Sequence, residues 1–258
     1  MLQDYLYIHL DAISNSILSK GMSHEDFNRY TINRPENLLL LNQNEREGEY
    51  ETHTGFRVIR GMEEVNQYFS LVESRSHREI KWVDFNEYDV LKRLTPNEIS
   101  ELLYFGHMKT QLRSPFFYQL QNNFAFFELN PETIKIYYRN IEDFYQTLSQ
   151  KITNIVSRQA SGPRTFFNRK TVTVSELPKD MVSHLKGAMQ EGIVFNFSQV
   201  GFVDDKYVVP IHVVEDNLRK VDNYHFKQEI KIGTLIYSQK SNEWEIVKEE
   251  FESILLKQ

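Results

Sequence analysis

Apolar side chains along this chain recur at spacings of two in some stretches and of three and four in others, and the changes of period divide it into elements. Within the first twenty residues Leu2, Leu6, Ile13 and Ile17, with His9 and Leu10, fit the longer spacing and predict an amphipathic helix stopping at Gly21. Ser23 reads as the N-cap of a second helix, with Glu25 and Asp26 in its first turn, ending before Pro35. The apolar run Asn37–Leu41 predicts a buried strand, and the alternation from Glu49 to Arg60, interrupted by Gly55, predicts another. Val65, Tyr68, Phe69 and Val72 share one face of a helix over 62–73, and Ile80 to Phe85 alternates again. Thr95-Pro96-Asn97-Glu98 is a capping box with proline at the first helical position, so a helix should run from Pro96 to Gly106.

Residues 116–121 and 124–129 read as a hairpin turning at Asn122-Asn123, followed by a strand over 133–138 and a helix over 141–156 carrying Phe144, Tyr145, Leu148, Ile152 and Ile155. The stretch 158–170 holds Ser161, Gly162 and Pro163 and no acids, and marks the expected boundary between two parts. Beyond it come a strand at 171–174, a helix opened by Pro178, and strands at 193–197, 207–214 and 224–232. A hairpin of 235–238 with 244–247 and a helix over 249–256 complete the prediction. The order lacks the strand–helix alternation of a parallel sheet. An α+β fold follows, of antiparallel sheets with helices packed on one face, in two lobes: 1–158, a helical start with an α+β lobe, and 159–258, a smaller one.

Composition narrows the chemistry. With no cysteine among 258 residues, disulfides, a thiol nucleophile, cysteine-bound zinc and iron–sulfur clusters are excluded. Residues 1–158 carry 17 basic and 22 acidic side chains and 159–258 carry 13 and 14, so neither part has the cationic excess that duplex DNA demands. No basic, apolar leader opens the chain and no 18-residue apolar window occurs, so a cytoplasmic, non-membrane protein is expected. Most of the 18 Phe, 14 Tyr and 2 Trp are expected as core. The 19 asparagines read as compositional bias.

Three groups of residues could carry function. Glu49, Glu51 and His53 stand at i, i+2 and i+4, which on one strand aims all three at one face; two carboxylates and an imidazole could hold a divalent metal for hydrolysis, or simply form a solvated edge. Arg158, Arg164, Arg169 and Lys170 surround Phe166 and Phe167, a basic segment suited to clamping an anionic ligand. Finally, 123–129 resembles the aromatic strand of the RNA-recognition motif in Phe124, Ala125 and Phe126, while Asn122, Asn123 and Leu129 depart from its pattern. That resemblance spans 80–158 and implies that Phe124 and Phe126 stack single-stranded RNA bases. The competing expectation is that both rings are core.

No glycine-rich nucleotide loop, phosphate-loop lysine, nucleophile elbow or His-Glu-x-x-His motif occurs, and the sequence identifies no cofactor. The expected role is therefore a cytosolic binding or regulatory module, without catalysis, that recognises a protein or an anionic ligand. The alternatives are a metal-dependent hydrolase and a single-stranded RNA binder.

Overall fold

The computed structural model describes residues 5–42, 44–74, 80–107, 118–130, 132–161, 173–198, 201–203, 205–214 and 229–249. In chain order the first elements are β1 (Tyr5–Asp11), β2 (Ser16–Lys20), α1 (His24–Tyr30), β3 (Asn37–Leu40), β4 (Glu49–Tyr50), β5 (Arg57–Arg60) and α2 (Met62–Glu73). They are followed by β6 (Lys81–Asp84), α3 (Tyr88–Lys92), α4 (Pro96–Gly106), β7 (Phe124–Asn130), β8 (Thr133–Tyr138) and α5 (Glu142–Ser161). The remainder forms α6 (Lys179–Ser183), α7 (Lys186–Glu191), β9 (Ile193–Asn196), β10 (Gly201–Val203), β11 (Lys206–Val214), β12 (Glu229–Ser238) and β13 (Glu243–Lys248). The class is α+β with antiparallel strand pairing, as expected. Among the described residues no helix is long and apolar enough to cross a membrane.

Two compact units emerge: Asp11–Phe144, and Met1–Leu10 with Tyr145–Gln258. The division differs from the expected break near 158–170, because α5 continues unbroken to Ser161 and carries Arg158 in its last turn.

In the unit Asp11–Phe144 the strands lie in the order β2-β8-β7-β6-β3-β5-β4, every pair antiparallel. Alternation along β6 and β7 sends neighbouring side chains to opposite faces. Trp82 and Phe126, register partners, stack 5.4 Å apart beneath α1, where Phe27 lies 5.6 Å from Phe126 and 5.2 Å from Phe124. On the other face Phe127 meets Phe105 of α4 at 4.6 Å, within a core that includes Leu39, Val83, Val90 and Leu102. Helices therefore cover both faces of this sheet, not one, because Phe126 and Phe127 are both buried and each needs its own layer.

Three local expectations are corrected here. The opening segment is two strands, not a helix: Asp11 Oδ1 accepts the Ile13 amide at 2.9 Å, Ser14 Oγ donates to Asp11 Oδ2 at 2.7 Å, and Asn15 takes a φ of 53°, closing a turn that interrupts any helix. Gly21 does adopt a positive φ, but it ends a strand. The predicted strand over 49–60 is two short strands with a turn over 51–56, and residues 118–121 form a turn instead of a strand, with Gln121 at a φ of 51°.

The other unit has strand order β1-β9-β11-β12-β13, with β10 pairing the first part of β11. Residues 173–178 contain no strand; they are tied to α5 by Ser149 Oγ, which donates to the Leu177 carbonyl, and by the Leu177 amide, which donates to Thr153 Oγ1 at 2.9 Å. Trp244 Nε1 donates to the Ser175 carbonyl at 2.7 Å, fixing the same segment against β13. The helix predicted after Pro178 is broken into α6 and α7. The predicted helix over 249–256 lies outside the described residues, except Glu249.

Candidate functional site

The registers in the unit Asp11–Phe144 gather six strand termini at one end of its sheet. β2, β7 and β3 begin there, and β8, β6 and β5 finish there. At about 4.8 Å per strand this row spans roughly 24 Å. The turn 11–15, the loop 31–36, Gly61, the connections 85–87 and 139–141 and the turn 118–123 all rise from it.

Asparagine side chains staple these loops together. Asn15 Nδ2 donates to the Tyr138 carbonyl at 3.2 Å, and the Tyr138 amide returns a bond to the Asn15 carbonyl at 3.0 Å. Asn33 Nδ2 donates to Asp143 Oδ1 at 2.8 Å, and Asn140 Oδ1 accepts the Glu142 amide at 3.2 Å. Asn37 Nδ2 donates to the Asn86 carbonyl at 2.8 Å while its Oδ1 accepts the Gly61 amide at 3.2 Å, and Asn86 Nδ2 donates to Gln121 Oε1 at 3.1 Å. The short, forked amide suits this task, since it donates and accepts at once and tolerates turn backbones.

With those amides engaged internally, several large apolar side chains turn outward beside the exposed Arg34, Glu36, Glu87 and Arg139. Ile13 is 89% exposed, Ile32 65% and Tyr118 90%, and Met62, also exposed, stands just past Gly61. An open depression of about 830 Å³ starts at Met62 and runs along the outer side of α2 past Asn66, Ser70 and Leu71. Under Ile13, partial burial raises the Asp11 carboxyl, but bonds from Ser14 and the Ile13 amide outweigh it and hold the group ionised below the usual carboxylate range. These features suit noncovalent recognition on fixed loops.

The sequence-predicted candidates lie elsewhere. Glu49 is exposed on β4 and pairs with Arg60. Glu51 is buried in the following turn, its carboxylate accepting the His53 and Thr54 amides at 3.1 and 2.7 Å. His53 Nε2 sits 2.8 Å from the Leu94 carbonyl, to which it donates. The three share no strand face because the chain turns directly after Tyr50, and among the described residues no group of three His, Asp or Glu side chains could hold a metal. Phe124 and Phe126 are 1% and 0% exposed against Phe27, so the base-stacking role implied by the RNA-recognition resemblance is corrected: neither ring has a free face. Arg158 is exposed on α5, while Arg164, Phe166, Arg169 and Lys170 lie outside the described residues.

Sequence reasoning missed the stapled loop end. Its signal was present in the asparagines, of which Asn15, Asn33, Asn37, Asn86 and Asn140 all flank element boundaries, yet an abundance of 19 read as bias. Compared with protein-family models, curated proteins and solved structures, the chain matches none.

Proposed function

We propose that this chain is a non-catalytic binding module that recognises another protein through the loop end of the unit Asp11–Phe144. The observation that supports this most is Ile13, almost fully exposed at the tip of a turn already fixed by Asp11, Ser14 and Asn15. A scattered exposed isoleucine is unremarkable on a protein surface. Here, however, the backbone beneath it is ordered before docking, so seating the side chain in a partner's pocket costs little further chain entropy. Ile32 and Tyr118 supply apolar and aromatic area of the kind that concentrates binding energy. Its place of action is taken to be the cytosol, in keeping with the cysteine-free sequence.

The test compares wild-type protein with an Ile13→Ser/Tyr118→Ser variant, both purified from the native host under identical conditions. Both substituted side chains are exposed, so the melting temperatures should agree within about 2 °C. The expected result is a protein that co-purifies stoichiometrically with the wild type and is lost from the variant. Identical co-purification would remove the proposal.

A further inference from the structure

Asp84 closes β6 directly beneath the loop end, and its side chain is buried. Its Oδ1 and Oδ2 each accept the Asn123 amide at 3.0 Å, and Oδ1 also accepts the Phe124 amide at 2.6 Å. Those two amides join the turn 118–123 to the first residue of β7. In the same turn Asn122 is fully buried, with Nδ2 donating to the Phe124 carbonyl at 3.2 Å and Oδ1 meeting no donor among the described residues. One carboxylate thus satisfies the amides of a turn that otherwise contains an unsatisfied acceptor and a residue at positive φ, Gln121.

We propose that Asp84 is a proton-operated latch for this loop: ionised, it clamps the Asn123 and Phe124 amides and fixes the turn that carries Tyr118; protonated, it loosens that turn. A protonated carboxyl gives up part of its acceptor capacity and gains a donor, which two backbone amides cannot accept.

The surroundings set the latch in a useful range. Burial raises the Asp84 carboxyl to about 7, against the Asn123 and Phe124 amides and the positive charge of Arg139, which favour the ionised form. Among the described residues, Arg139, just past β8, is the charged side chain acting on it; β3 brings Leu38 as register partner, β7 brings Phe124, and α1 brings Phe27 against that ring. The clamp stands on the geometry and its proton range on the burial of Asp84, whereas its effect on partner binding rests on the function proposed above.

Amide NMR of the full chain between about pH 5 and 9 tests it. The Asn123 and Phe124 amide signals should titrate together with a midpoint near 7, and Asp84→Asn should abolish that transition. Should Asp84→Asn fail to fold, Arg139→Gln serves instead: removing the exposed guanidinium should raise the midpoint. Amides that stay flat over this range, or a midpoint that ignores Arg139→Gln, would overturn the latch. Titrating amides with pH-independent partner affinity would leave the latch intact and sever its link to binding.

Discussion

At the residue scale, buried ionisable groups give this protein opposing pH responses. His24 packs edge-on against Phe69 at 4.6 Å and Phe126 at 5.0 Å, with Nδ1 3.7 Å from Glu73 Oε1, too far for a hydrogen bond. Burial lowers its tendency to protonate more than Glu73 raises it. The folded protein therefore holds His24 neutral, and the stability this represents is present above the unfolded value of about 6.5 and lost as pH falls below it. His24→Phe keeps an aromatic ring in the cage, so its melting temperature should drop less than that of the wild type between about pH 8 and 5, as a thermal melt at each pH would show. Asp84 acts with the other sign: its raised value means that stability present below about 4 is lost as pH climbs toward 7, on the order of 4 kcal/mol in all. Alternation placed Phe124 and Phe126 on one face from sequence alone. That this face lies under Phe27 depends on α1, some hundred residues earlier in the chain, which no local pattern reveals.

Elements whose ends are set by adjacent residues were the legible ones. Thr95 Oγ1 accepts the Glu98 amide while Glu98 Oε2 accepts the Thr95 amide at 2.7 Å, so α4 starts where its capping box says it must. Thr95→Ala should cost about 1 kcal/mol in chemical unfolding. Ser23 caps α1 in the same way, with Asp26 returning the bond, and α2 spans the residues its apolar spacing predicts. The opening segment misled because Leu6, Leu10, Ile13 and Ile17 satisfy a helical spacing, while the decisive carboxylate of Asp11 acts two and three residues away. The stretch 49–60 misled for a related reason: Glu51 draws the backbone into a turn. Gly48 precedes it at a φ of 77°, where a Cβ would fall 2.4 Å from the Val58 carbonyl oxygen. Gly48→Ala should accordingly destabilise the unit by roughly 1–3 kcal/mol, measured by urea unfolding.

At the scale of the whole molecule, the α+β class with antiparallel pairing was readable because two periods are interleaved without parallel-sheet rhythm. The division at Leu10/Asp11 and Phe144/Tyr145 was not, since it cuts inside continuous secondary structure and leaves no compositional mark. Much of the described aromatic wealth is core: Trp82, Phe105, Phe124, Phe126 and Phe127 are all essentially inaccessible. Phe126→Ala should cost about 3–5 kcal/mol in unfolding free energy, as expected for an emptied core position. Outward at the loop end, among exposed charged residues such as Arg34 and Arg139, stands a small apolar set on asparagine-stapled loops, and protein recognition there is the central claim. Site-specific photo-crosslinking in the native host tests it most directly, with a benzophenone amino acid placed at Ile13, at Tyr118 and, as an equally accessible control on the other unit, at Lys240, whose side chain is 79% exposed. A discrete protein adduct shared by positions 13 and 118 and missing at 240 is predicted. No adduct at 13 and 118, or the same adducts at all three positions, would contradict it.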